Sequence, residues 1–277
     1  MMWFGSSPTP PPPDWWMARC EAWPYGERLF FTGLASAIHL LVLYASCGLF
    51  MLADAQGFWL QCQLPRGRPD LKATTVANIA LNRRAAREQM IGALVITPAL
   101  LYVAFPAVSP FINVCGRMPP PTTWAKDIAI MIVGCDCIFY WVHRACHASP
   151  SLYKLHKQHH EFKATTVWAS EYFGIVDFLL NVLPGVLPAL VLRVHLAVLM
   201  LFTALRMWQT VQSHSGYDLP YDPFNRGIFH GGARRHDFHH SHHNGCFADF
   251  LPFWDWLCGT DAAYTTYWQK HRDAAAY

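Results

Sequence analysis

The stretch Arg234-Arg235-His236-Asp237-Phe238-His239-His240-Ser241-His242-His243-Asn244 places imidazoles at i, i+3 and i+4, positions that share one face of a helix. The same spacing occurs upstream in His156-Lys157-Gln158-His159-His160, and His143-Arg144-Ala145-Cys146-His147 adds a pair at i, i+4. Core packing does not ask for eight histidines on helix faces, whereas a neutral imidazole nitrogen is a common ligand of iron, zinc or copper. These stretches predict helical segments that converge on metal, with the rest of the chain as their scaffold. His214, in His214-Ser215-Gly216-Tyr217, is a ninth candidate ligand.

The scaffold reads as membrane. Of 277 residues 53% are hydrophobic and 14% charged, against about 25% charged in soluble domains. A net charge of +3 is too small to point to nucleic acid. Nine cysteines, an odd number without a CxxC pair, favour reduced thiols over a disulfide framework. Residues 1–27 form a Pro/Trp-rich tail. It has no basic stretch before an apolar core, so the first apolar helix is the expected membrane anchor.

Residues 28–124 are expected to hold the N-terminal membrane helices. Leu29 to Ala53 is long enough to cross a bilayer. Leu71 to Arg87 suits a surface helix, and Met90 to Cys115 is a second apolar run with Pro98, Pro106 and Pro110. Residues 125–262 carry the histidine clusters and, by the family resemblance given below, are the expected catalytic domain; 263–277 are a C-terminal tail. Within the domain Ile128 to Val142 leads into His143. Phe173 to Trp208, broken at Pro184-Gly185 and Pro188, reads as a hairpin that returns the chain to the side of the histidines. The fold class is thus an all-α integral membrane protein of about four to five transmembrane or re-entrant helices, with a His-rich helical cap holding a two-metal site. Fifteen Lys and Arg fall on the side of the clusters and five on the other, which predicts a cytosolic cap.

Eight or nine histidines are too many for one zinc, which closes with about four ligands. A transporter would place its ligands near the bilayer midplane instead. The count suits two metals with open positions, and nitrogen ligation without a Glu-x-x-His motif suits iron that activates dioxygen. The reading from a different class is a non-catalytic membrane metal-binding or transport protein.

The chain resembles the fatty acid hydroxylase superfamily of membrane di-iron oxidases. His143-Arg144-Ala145-Cys146-His147 matches its HxxxH, and His156-Lys157-Gln158-His159-His160-Glu161-Phe162 its HxxHH followed by Glu-Phe. His214-Ser215-Gly216-Tyr217-Asp218-Leu219-Pro220, His236-Asp237-Phe238-His239-His240 and Trp254-Asp255-Trp256-Leu257-Cys258-Gly259-Thr260-Asp261 match its sterol enzymes. The resemblance implies an endoplasmic reticulum monooxygenase with two iron ions on the cytosolic side. It also implies O2 as co-substrate and electrons from NAD(P)H through cytochrome b5 or its reductase. The implied ligands are His143, His147, His156, His159, His160, His214, His236, His239 and His240, with no catalytic residue beyond them. Asp136, Asp237, His242 and His243 are expected in supporting positions around the ligands. His39 and His195 read as structural.

C-4 methylsterol monooxygenases commonly carry histidine where this chain has Arg235, and Ser241-His242 followed by Asn244 is closer to the cholesterol 25-hydroxylases. The implied function is a sterol oxidase acting on an unactivated C–H bond, most like a C-4 methylsterol monooxygenase of sterol biosynthesis. A sterol 25-hydroxylase, a sterol desaturase and a fatty-acyl or sphingoid hydroxylase are the alternatives. The chain has no dinucleotide fingerprint or cytochrome b5-like segment, so the electron carrier is expected to be a separate protein.

Overall fold

The computed structural model describes residues 14–64, 76–226 and 232–275. Pro10 to Pro13, Arg66, Arg68, Lys72 and His230 lie outside the described residues. Among the described residues the chain is helical, without a strand beyond the isolated bridges Gln63–Tyr217 and Asn113–His195.

The N-terminal segment is docked from Asp14 onward rather than a free tail. Asp14 caps α1 (Trp15–Glu21) by accepting from the Trp16 and Met17 amides, and its other oxygen accepts from Met118 N–H at 2.6 Å. The indole of buried Trp16 donates to Val114 O at 2.9 Å. This packing brings Cys20 against Cys115, and the two form a disulfide. The expectation of reduced thiols is thereby corrected for this pair, while the other seven cysteines are free. The partners stand 95 residues apart, so no local spacing announces the pair.

Among the described residues, three helical stretches are long and apolar enough to cross a membrane: Gly26–Gln56, Asn78–Phe111 and Ile175–Leu192. The first is α2. The second joins α3 (Val76–Ile91) through a π-helical turn at Gly92–Ile96 to α4 (Thr97–Val108). Pro98 explains the widened turn, because it lacks an N–H and its ring excludes the carbonyl four residues earlier. The third is α7, antiparallel to α8 (Leu196–His214) as the hairpin reading predicts. His195 caps α8 by accepting from Ala197 N–H at 3.2 Å, and its Nε2 lies 3.0 Å from Gly116 O, a structural role.

The remaining long helices, α5 (Pro121–Ala148) and α8, are not among the three spans. The all-helical fold expected is thus present, with three candidate spans among the described residues, and α5 and α8, which carry polar groups, pack against α7 and α2. α8 holds Arg206 in an ion pair with Asp249, and α5 holds Asp127 and Asp136, both buried.

The cap consists of α6 (Pro150–His156), a 3-10 turn at His159–Glu161, α9 (Ala233–His242), α10 (Phe253–Cys258) and α11 (Ala262–Ala275). The C-terminal segment is part of this cap, since the Tyr264 and Tyr267 rings of α11 lie 5.5 and 5.4 Å from that of Phe238.

Candidate metal centre

The nine predicted histidines converge, in an arrangement the motifs do not display. They form two groups, each with its ligand atoms within 4.8 Å of one another: His143, His147, His156, His160 and His239; and His159, His214, His236 and His240. Each HxxHH-type motif is divided between them. On α9, His239 turns to the first group while His236 and His240, at i and i+4, share the second. In the upstream motif α6 ends at His156, and His159 and His160 sit on the 3-10 turn. The continuous helix face expected there is therefore broken, and the turn directs the adjacent imidazoles His159 and His160 to different groups.

The rings are oriented by their Nδ1 atoms. His143 Nδ1 donates to Phe247 O at 2.9 Å, His239 to Gly245 O at 2.8 Å, His240 to Phe162 O at 2.9 Å and His214 to Thr210 O at 2.7 Å. His156 Nδ1 lies 2.9 and 3.0 Å from the two Asp177 oxygens. A neutral imidazole that donates through Nδ1 leaves Nε2 with a bare lone pair. Within each group the Nε2 atoms face one another: His236–His214 at 2.8 Å, His160–His156 at 3.0 Å, His240–His159 at 3.1 Å and His239–His160 at 3.2 Å. His143 Nε2 and His147 Nε2 are buried with no protein partner. Lone pairs aimed at each other and orphaned buried nitrogens fit a cation in each group.

Electrostatics keep eight of the nine rings neutral. Burial, reinforced by neighbouring imidazoles, pushes His143, His159, His160, His236, His239 and His240 well below the usual histidine range. Burial lowers His147 to about 3 and His214 to about 4. The neutral form is the one that ligates metal.

The supporting residues differ from those expected. Asp136 touches none of the nine rings; its Oδ1 accepts from the Asp249, Phe250 and Leu251 amides at 3.1, 2.8 and 3.1 Å and so fixes that loop. Asp237 accepts from Thr165 N–H and Oγ1–H, tying α9 to the segment after His160, rather than holding one of the nine imidazoles. Its neighbours pair elsewhere, Arg234 with Asp218 and Arg235 with Asp261. His242 stacks on Phe238 at 4.3 Å, away from both groups. His243 caps α9 with φ 54°, its ring 4.6 Å from that of His160 and its nitrogens beside Tyr153 and Lys163. Burial and Lys163 lower its pKa to about 4.

The carboxylate on a candidate ligand is Asp177, which the sequence reading missed. Its one signal is an acid in the first turn of the apolar α7. The second missed device is the loop 244–250. Asp255 accepts from the Phe247 and Ala248 amides and from Thr260 Oγ1, so the Trp254–Asp261 motif braces the carbonyls that orient His143 and His239. Gly245 is required there: its φ is +89°, and a Cβ would lie 1.9 Å from Thr260 O. Arg235 belongs to the same brace. Its guanidinium sits 3.2 Å from Asp261 and 4.7 Å from the centre of the Tyr264 ring.

The fatty acid hydroxylase family model matches residues 128–260. These residues, just under half of the chain, are similar to the fatty acid hydroxylase family. The chain is 31% identical to methylsterol monooxygenase 1-1 of Arabidopsis thaliana over 62% of its own length and 58% of that protein. It is 28% identical to methylsterol monooxygenase erg25A of Aspergillus fumigatus over 89% of its own length and 82% of the relative. It is 32% identical to very-long-chain aldehyde decarbonylase GL1-11 of Oryza sativa subsp. indica, over 60% of the chain and 64% of that protein. The match thus spans little more than half of the Arabidopsis relative's own length. No solved structure matches.

Proposed function

We propose that the chain is a membrane di-iron monooxygenase that oxidises an unactivated C–H bond of a methylsterol, in the manner of a C-4 methylsterol monooxygenase. The observation that carries this reading is the pair of histidine groups, whose nitrogens converge with no carboxylate in either group among the described residues. The methylsterol monooxygenase relatives supply the substrate class. His143, His147, His156, His160 and His239 would hold one iron, and His159, His214, His236 and His240 the other. The two irons would supply activation of dioxygen and attack on the C–H bond.

The protein's own contribution is geometric. Backbone carbonyls and Asp177 fix the tautomer and direction of five of the nine rings, and burial keeps eight of the nine unprotonated. The apolar helices below the cap exclude water from the bound lipid. Electrons would come from NAD(P)H through a separate carrier of the cytochrome b5 or reductase type. The cap would face the cytosol of the endoplasmic reticulum membrane. Charge asymmetry supports that orientation, as does the Cys20–Cys115 disulfide, which joins α1 to the segment before the N-terminus of α5, the end of that helix opposite His143 and His147, and needs an oxidising compartment.

The test is the sterol profile, by mass spectrometry, of cells expressing the chain or its His239→Ala variant with an electron donor present. The reading expects depletion of 4-methylsterols by the wild type alone. A hydroxyl on the sterol side chain, or identical profiles at equal expression, would contradict it.

A further inference from the structure

Below the cap lies a cavity of about 440 Å³ between α2, α4, α7 and α8, within the roughly 300–1,000 Å³ of small-molecule sites. Along α8 it runs from Leu199 to Thr210, about 16 Å at roughly 1.5 Å per residue. One end meets the metal centre. Phe173 lines the cavity and its ring lies 6.0 Å from that of His159, while Thr210 lines it and holds His214 through its carbonyl. His39 is the α2 lining residue nearest this end, with Ala35 and Phe31 one and two turns farther away.

His39 is 7% exposed and forms a pair with Glu171, which also lines the cavity, at 2.7 Å from Nε2 to Oε1. Its Nδ1 is buried and has no partner. An imidazole whose Nε2–H is held by a carboxylate presents Nδ1 as an acceptor. Thr32 and Ser36 of the same helix also carry unpartnered hydroxyls, but neither lines the cavity. At the opposite end Leu190, Leu199 and Ile112 offer no hydrogen-bonding side chain.

We infer that His39, oriented by Glu171, is the anchor for the single hydroxyl of an otherwise apolar lipid in this cavity. The anchor presents the carbons next to that hydroxyl to the histidine groups. This rests on the sterol reading and sharpens it. In a 4-methylsterol the carbon bearing the methyl adjoins the one bearing the 3-hydroxyl, so holding the hydroxyl at His39 brings the methyl to the metal end. Oxidation of the sterol side chain would need the hydroxyl at the end that has no anchor.

The experiment is equilibrium binding of a 4,4-dimethylsterol and its 3-deoxy counterpart to the full chain in lipid nanodiscs. The chains compared are the wild type, His39→Ala and Glu171→Gln, with metal content measured alongside. One hydrogen bond to a charge-supported group corresponds to about 10- to 100-fold in affinity. The wild type should prefer the hydroxylated sterol by that factor. His39→Ala should bind both sterols equally, at the wild-type affinity for the deoxy compound and with unchanged metal content. Glu171→Gln should show an intermediate preference. Equal wild-type binding of both sterols overturns the anchor whether or not the variants fold. A preference that survives in His39→Ala also overturns it, and leaves the sterol reading standing. Binding of neither sterol by the wild type overturns both.

Discussion

Replacing Asp177 by Asn tests whether the two histidine groups are separate metal sites. The carboxylate is 2% exposed and contacts one candidate ligand, His156, through both oxygens at 2.9 and 3.0 Å. Asparagine keeps the shape, and its carbonyl can still accept from His156 Nδ1–H. What it removes is the charge on the acceptor. A hydrogen bond to a charged group contributes about 1.5–3 kcal/mol and a neutral one about 0.5–1.5 kcal/mol. The difference of about 1–1.5 kcal/mol is roughly ten-fold in affinity, the lower end of the 10- to 100-fold expected when a partner of a metal-bound histidine is lost. Because Asp177 touches the five-histidine group alone among its candidate ligands, the loss should fall on one site. Anaerobic titration with ferrous iron should give a single tight phase of two equivalents for the wild type. The variant should split into one tight and one roughly ten-fold weaker equivalent. Equal weakening of both equivalents, or an unchanged curve, would refute the reasoning.

Gly245→Ala should cost at least one iron per chain, because its Cβ would strike Thr260 O and displace the carbonyls that hold His239 and His143; metal analysis of purified protein checks this. Arg235→His should lower the melting temperature, through loss of the Asp261 pair and the Tyr264 contact, while leaving iron content at the wild-type level. Metal-free protein should lose thermal stability as pH falls. The buried imidazoles, including His147 at about 3 and His214 at about 4, bind protons less readily than the unfolded chain does at about 6.5. Their contribution is therefore intact above about 6.5 and is lost progressively toward pH 4, as differential scanning fluorimetry would show. Cys20 and Cys115 should resist maleimide until reductant is added, whereas exposing Cys62 and Cys258 to reagent by unfolding should label them without reductant; mass spectrometry of labelled peptides distinguishes these cases.

Eight of the nine clustered histidines were legible from helical spacing, as with 236, 239 and 240, which share a face wherever α9 points; His214 has no such partner and entered as a separate candidate. Their division into five and four was not, since it depends on α6 stopping at His156 and on the 3-10 turn that follows. The atoms that orient the rings were hidden for a different reason. Four of the five Nδ1 partners are backbone carbonyls, which leave no residue-type signature. Asp136 stood out as an acid in an apolar helix, yet its partners are three amides more than 110 residues away. The apolar runs foretold the α7–α8 hairpin. The docking of α1 and the disulfide it creates rest on contacts about 100 residues apart, which periodicity does not encode.

The measurement that bears most directly on the central claim is iron per chain in protein reconstituted anaerobically with ferrous iron, for the wild type and for His239→Ala and His240→Ala. Two irons in the wild type, with each variant losing one and keeping the other, is the predicted result. A single metal per chain in the wild type, or both irons lost together from either variant that remains folded, would contradict the account.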